Sequence, residues 1–512
     1  MEAAGALGRG SPSNFADAVR QAVRDRSRVF WIVAGLTVLA ASLRFATLGL
    51  QAYHHDEIVT ASRVLRGSFW HAMDAVGFSE SAPPLYYALA WLWTQLTGTG
   101  EFGLRSLSAL AGVATVPVAY MLGVELRGHR AGLATAALVA VNPMLVWYSQ
   151  EARGYALLVL ATTISALYFV RALDGGHRRD FIGWGIASGL ALATHYFAVF
   201  PIALQVVWLL WRRGWAAWRG LWIIVAAGLA LAPLMIHQAS EGRAEWIGGN
   251  SLGHRLWETA FTFATGEVGD IIARPERPLL GVVPVALILA ALALSAARGD
   301  AGERRRNGLM LALVGATLAI PVAIALVMPS KDFILARNLL PALVPLLAAV
   351  AVGITLRRAR RTGVILGVAL FAYSLGFSIL ASVAPSLQRP DWDAVAARIG
   401  EPREPRAMVT WTLGLASLRY YLPIGSIQVT PADGYDWLVG EVDFVSDGPA
   451  PPPASRMVPG MRQVAYGKVG RLYVRRYETP GPGLAPLRLR EARKAQLGFR
   501  NNGILLDGIG PE

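Results

Sequence analysis

Apolar runs of about 20 residues, the length that crosses a lipid bilayer, recur along this chain with arginine clusters between them. No other feature restricts the fold as strongly, because within lipid each backbone N–H and C=O must find its partner inside the segment, which favours helices. Composition agrees: 54% of the 512 residues are hydrophobic and only 16% are charged. That is too apolar for a soluble domain and ordinary for an α-helical polytopic membrane protein. The positive charges behind the net +14 are almost all arginines, and many fall in short clusters between apolar runs. This is the positive-inside pattern rather than a nucleic-acid face. Cysteine is absent, which excludes disulfides, thiolate metal sites and cysteine nucleophiles.

Placing the basic loops on the cytoplasmic side predicts about eleven spans, with the N-terminus inside and the C-terminus outside. The expected divisions are a cytoplasmic segment 1–27, a membrane domain 28–384 whose first outer loop is 51–84, and a small extracytoplasmic α/β domain 385–512. Leu85 to Thr97 is too short to span and is laid along the membrane or half-inserted, and Phe181 to Trp211 holds two short spans turning at His195 and Tyr196. In the outer domain, Asp391 to Ile399 has helical spacing and Leu415 to Leu422 reads as helix. Ala407 to Thr412, Ile427 to Thr430, Trp437 to Val445 and Gly470 to Tyr477 read as strands.

Four polar clusters converge on the outer face in this topology: His54-His55-Asp56-Glu57, Glu80 with Pro83 and Pro84, Gln150 to Arg153, and Lys331 to Arg337. Charged residues at span ends often serve as interfacial anchors, which is the plain reading of Lys331 and Arg337. Asp56 and Glu57 resist that reading, since short acidic side chains snorkel poorly and adjacent ones repel. Neighbours on a chain point in different directions, so one carboxylate is expected to act as a base and the other to position a ligand or brace the loop. Desolvation at an apolar boundary is expected to raise the base's pKa. Arginine forks match phosphate oxygens and stabilise charge on a leaving group. A base beside a phosphate clamp at the lipid edge suggests transfer from a lipid-linked phosphate donor.

The order Asp56-Glu57, Pro83-Pro84-Leu85-Tyr86-Tyr87, Tyr148-Ser149-Gln150-Glu151-Ala152-Arg153-Gly154-Tyr155 and His195-Tyr196 resembles the GT-C glycosyltransferases of the protein O-mannosyltransferase and aminoarabinose transferase type, in particular their glycosyltransferase 39-like bacterial branch. Arg389-Pro390-Asp391-Trp392 resembles bacterial members as well. The resemblance implies a GT-C fold in a bacterial plasma membrane, a polyprenyl-phosphate-sugar donor, and inversion at the anomeric carbon. The acceptor is a hydroxyl on lipid, polysaccharide or protein. It makes Asp56 the general base and Glu57 its support, and gives the donor phosphate to Arg153 and Arg337, with Lys331 a weaker third. His54, His55, Glu80, Tyr86, Gln150, Glu151, Tyr155, His195 and Tyr196 are expected to line the substrate cavity, His195 having a structural role as its alternative. Ala82 departs from the His or Lys of many relatives, and Arg337-Asn338 from their Arg-Tyr.

No cofactor is required on this reading, although His55, Asp56 and Glu80 form an alternative divalent-cation set. The rival function is a secondary transporter or lipid flippase, but the chain lacks the paired halves such proteins show, and its ionisable residues lie in loops rather than mid-span.

Overall fold

The computed structural model describes residues 12–242, 247, 251–268, 278–328, 332–422, 427–429, 437–452, 454–495, 497 and 502–507. Helix α1 (Pro12–Phe45) opens the membrane part, and a loop follows with α2 (His55–Val59), a π-helical turn (Thr60–Val64), α3 (Phe69–Ser79) and α4 (Leu85–Thr97). Next come α5 (Glu101–Arg127), α6 (His129–Val141), α7 (Pro143–Ser149), α8 (Tyr155–Asp174) and α9 (Arg178–Thr194). The part is completed by α10 (Val199–Arg213), α11 (Trp218–Ser240), α12 (Leu252–Thr265), α13 (Pro278–Arg298), α14 (Ala301–Val327), α15 (Leu343–Ile354) and α16 (Arg360–Val383).

Among the described residues, eight helical stretches are long and apolar enough to cross a membrane, or nine when the bent pair α6–α7 is one span. The count is below the expected eleven for two reasons. Helix α9 has 17 residues, a rise of about 26 Å against a hydrocarbon core of about 30 Å. Helices α10 and α11 fall within one continuous stretch, Tyr196–Ser240, interrupted at Gly214, where φ is +53°. Helix α4, with 13 residues, rises about 20 Å and cannot span. It buries Tyr86, Tyr87, Ala90 and Thr94 and exposes Leu92 and Leu96, as a juxtamembrane helix does.

The bend between α6 and α7 is 57° and is written in Asn142-Pro143. Pro143 at the first helical position has no N–H to lose, and the Asn142 side-chain oxygen accepts from Leu145 N at 3.0 Å. Arg44 fills the bend. It donates to Ser149 Oγ at 3.0 Å and to the carbonyls of Ala140 and Val139. Gly112 permits this approach, since a Cβ there would stand 2.0 Å from Ser149 Oγ and 2.9 Å from Arg44 Nε.

Ion pairs tie the basic helix ends together on one face: Arg127 with Glu303 at 2.5 Å, Arg171 with Glu125 at 2.7 Å, and Arg306 with Asp174 at 2.8 Å. A polar cleft of about 620 Å³ opens there between Glu125, Tyr168, Arg171 and Asp180. The opposite ends of the helices carry the clusters around Asp56 and meet the C-terminal domain.

That domain opens with α17 (Trp392–Ile399), β1 (Arg406–Trp411) and α18 (Thr412–Tyr421), followed by β2 (Ile427–Val429), β3 (Trp437–Val439) and β4 (Glu441–Ser446). After β5 (Arg462–Val469), β6 (Leu472–Glu478), β7 (Ala485–Leu487) and β8 (Asn502–Asp507) the six-stranded sheet has the order β2-β8-β1-β4-β6-β5, and β3 pairs with β7. Only β1 and β4 run parallel within the larger sheet. One side packs α17 and α18 through Trp392, Val395 and Leu418, and Ala52 of the first membrane-side loop joins that core.

Candidate active site

Helix α2 starts with a capping box: His54 Nδ1 accepts from Asp56 N at 3.4 Å, and Glu57 Oε2 accepts from His54 N at 2.8 Å. The box fixes the entry to the helix and turns two consecutive carboxylates apart. Glu57 faces inward and is fully buried, clamped by Arg105 through Nε at 2.7 Å and Nη2 at 2.8 Å. Ala152 N donates to the same carboxylate at 2.8 Å. Burial would push this carboxyl up, but Arg105 foremost, then Arg389 and the Ala152 N–H, bring it down to about 2. Arg105 also holds the carbonyls of Leu48, Gln51 and Ala52, so one guanidinium ties together the whole approach to α2. The sequence reading passed over Arg105, because within a span it reads as an isolated cost; the available signal was an intramembrane cation needing an anion.

Asp56 faces the other way and stays 25% exposed. Its Oδ1 lies 3.0 Å from His55 Nδ1 and its Oδ2 lies 3.7 Å from Arg337 Nη1. Arg153 Nη1 reaches Glu80 Oε2 at 2.7 Å and Thr60 Oγ1 at 3.1 Å, and is 3.5 Å from the Asp56 carbonyl. Burial would raise the Asp56 carboxyl, but the His55 hydrogen bond and the charges of Arg337 and Arg153 overturn that and hold it well below the usual carboxylate range. The direction is opposite to the desolvation-driven rise expected from sequence, since the fixed cations outweigh the loss of water.

The expected cavity residues divide into two groups. His55, Asp56, Arg153 and Arg337 come together and remain partly accessible. Tyr155 packs against His195 with ring centroids 5.7 Å apart, and His195 against Phe197 at 5.0 Å. Tyr196 donates to Gln238 Oε1 at 2.9 Å.

The other group is committed to structure. Gln150 spends its amide on Leu43 O, Arg44 O and Thr47 Oγ1, and Glu151 pairs with Arg389 at 3.2 Å. Tyr86 is buried, its hydroxyl 3.4 Å from Ser108 Oγ. Glu80 is buried and turned to Arg153. Each of these buried polar groups thus has a partner within the protein. Lys331 lies outside the described residues.

The alternative cation set does not assemble: among the described residues no group of three His, Cys, Asp or Glu is disposed to hold a metal. Glu80 is drawn away by Arg153, and Glu57 by Arg105.

Arg337 is delivered by the segment that follows α14. Asp332 forms an ion pair with Arg255 of α12 and accepts from Ile334 N at 3.0 Å. Asn338 Nδ2 donates to Phe333 O at 2.9 Å. Neither Arg255 nor α12 was anticipated, since the loop after α11 shows no spanning hydropathy.

Residues 81–237 match the family model for dolichyl-phosphate-mannose-protein mannosyltransferase. No curated protein matches the sequence at a significant level. The fold is similar to the crystal structure of ArnT from Cupriavidus metallidurans bound to undecaprenyl phosphate, with TM-score 0.50 and 16% identity over 87% of this chain and 97% of that one. The apo state of the same protein gives TM-score 0.47 and 17% identity over 73% and 70% of the two chains. Archaeal oligosaccharyltransferase AglB from Archaeoglobus fulgidus, in complex with an inhibitory peptide and a dolichol-phosphate, gives TM-score 0.44 and 11% identity over 78% and 60%. The chain thus shares its fold with ArnT, and its segment 81–237 matches the mannosyltransferase family model.

Proposed function

We propose that this protein transfers a sugar from a polyprenyl-phosphate-linked donor to an acceptor hydroxyl at the extracytoplasmic face of a bacterial plasma membrane, inverting the anomeric carbon. The observation that carries the reading is the disposition of Asp56: an accessible carboxylate 3.7 Å from Arg337 and beside Arg153, at the end of the helix bundle remote from the arginine-rich loops. The acceptor oxygen forms a bond to the anomeric carbon, and the bond from that carbon to the phosphate oxygen breaks with its electron pair. Arg337 and Arg153 supply positive charge where the lipid phosphate departs. Asp56 is the acidic residue of acceptor activation, and Glu57 holds it in register. The reading draws on the matched mannosyltransferase segment and on a fold shared with a protein that binds undecaprenyl phosphate.

The test is release of lipid phosphate from labelled undecaprenyl-phosphate sugars by the purified protein. Asp56→Asn is expected to lower turnover by about 10²–10⁴-fold, the contribution of the acid–base machinery to which this carboxylate belongs, with the protein still folded. Near-normal turnover by that variant, or no transfer by the wild type with any such donor, overturns the reading.

A further inference from the structure

Asp56 makes a poor proton acceptor in its own right. One carboxylate oxygen is at hydrogen-bond distance from His55 Nδ1 and the other faces Arg337, so the ionised form is favoured and the proton is not held. His55 resolves this. A ring nitrogen that approaches a carboxylate at 3.0 Å carries the hydrogen of that bond, and in a neutral imidazole the other nitrogen then has the lone pair. Among the described residues Nε2 of His55 has no hydrogen-bond partner, and the side chain is 28% exposed beside Asp56, whose other oxygen faces Arg337. The preceding His54 differs: its Nδ1 is spent on capping α2, and its ring meets that of His55 edge to face at 6.2 Å.

We infer that His55 is a second catalytic residue: its Nε2 takes the proton of the acceptor hydroxyl, while Asp56 fixes the ring's tautomer and carries the balancing negative charge. This rests on the glycosyl-transfer reading above and names the atom at which the proton ends. In the balanced step the acceptor O–H gives its proton to Nε2, the oxygen bonds to the anomeric carbon, and the lipid phosphate leaves with the electron pair. The imidazolium then returns its proton to water. The pair repeats the logic of a histidine oriented by an acid, with the cations reserved for the leaving group.

The experiment uses the full-length protein and the undecaprenyl-phosphate sugar that the wild type turns over. His55→Ala is expected to lower kcat by about 10²–10⁴-fold and to leave the KM for the donor unchanged. Free imidazole added to that variant is expected to restore turnover in proportion to its concentration. His55→Gln, which fills the space without a basic nitrogen, stays inactive with or without imidazole. Wild-type kcat in His55→Ala overturns the inference, as does a loss that imidazole does not relieve. Absence of lipid-phosphate release by the wild type overturns the functional reading instead, so the two failures are separable.

Discussion

At Glu57 every acceptor position is taken: Arg105 grips both oxygens, and the N–H groups of Ala152 and His54 add one each. Replacing this carboxylate with an amide would leave the Arg105 guanidinium buried without its counter-charge. Breaking a buried pair in this way costs about 3–5 kcal/mol. Glu57→Gln is therefore expected to unfold at a clearly lower temperature than the wild type at neutral pH, whereas Asp56→Asn, at a partly exposed position, changes stability little. The pH dependence has a definite sign. The folded carboxyl is brought down from 4.5 to about 2, so its stabilisation is complete above the unfolded value and is lost as pH falls from about 4.5 toward 2. The difference in unfolding temperature between wild type and Glu57→Gln is expected to shrink across that window; a difference that stays constant would place the stabilisation elsewhere. The sequence announces that two adjacent acids must take different roles. It does not say which one is braced, because that is settled by Arg105, which lies 48 positions away.

At the level of elements, the long spans are visible in hydropathy because lipid selects for each one separately. The brace behind Arg337 is not, because it joins distant parts: Arg255 on α12 and Asp332 are 77 positions apart, and their short polar segments carry no strong periodicity. The same reason hides β5 and β8 in the C-terminal domain. Strand β5 is largely exposed along its length and mixes apolar with polar residues without alternation, so no pattern reveals it, while β8 comes from a basic tail and acquires its place only between β1 and β2. The elements with their own pattern, α17, β1 and β6, fall within a residue or two of where spacing puts them, and α18 starts three residues earlier than its expected Leu415. The Arg255–Asp332 pair gives the element-scale test. Asp332→Asn removes the charge that anchors the segment without touching Arg337 itself, and a misplacement of about 1 Å at a catalytic group can cost about 10²-fold in rate. Asp332→Asn is expected to lower kcat/KM for the donor by up to that amount. Arg337→Ala combined with it is expected to add little beyond Arg337→Ala alone, since both act through one guanidinium. Fully additive losses in that double-mutant cycle would mean that Asp332 does something other than place Arg337.

Across the whole molecule the C-terminal domain is part of the site's support. Arg389, at its entrance, holds Glu151 at 3.2 Å and the Gln150 carbonyl at 3.3 Å, and its guanidinium lies over Trp147 at 4.4 Å. Helix α18 closes on the first loop from above, where Tyr421 accepts from Tyr53 N at 2.6 Å and donates to Glu101 at 2.7 Å. The stretch that carries Asp56 is thus held from one side by Arg105 and from the other by Tyr421, one on an apolar helix long enough to span and one on the C-terminal domain. Tyr421→Phe separates the two supports. It strands the Tyr53 N–H in a buried position, a loss of about 1–3 kcal/mol, and leaves the Glu57–Arg105 clamp in place. The expected result is faster amide hydrogen exchange across residues 53–59 and a fall in kcat. Exchange in α8 and α14 at the opposite, arginine-rich face should be unchanged, because the ion pairs there share no partner with Tyr421. Unaltered exchange at residues 53–59 in Tyr421→Phe would show that Arg105 alone sets the position of Asp56, and that the C-terminal domain contributes to the site only through Arg389.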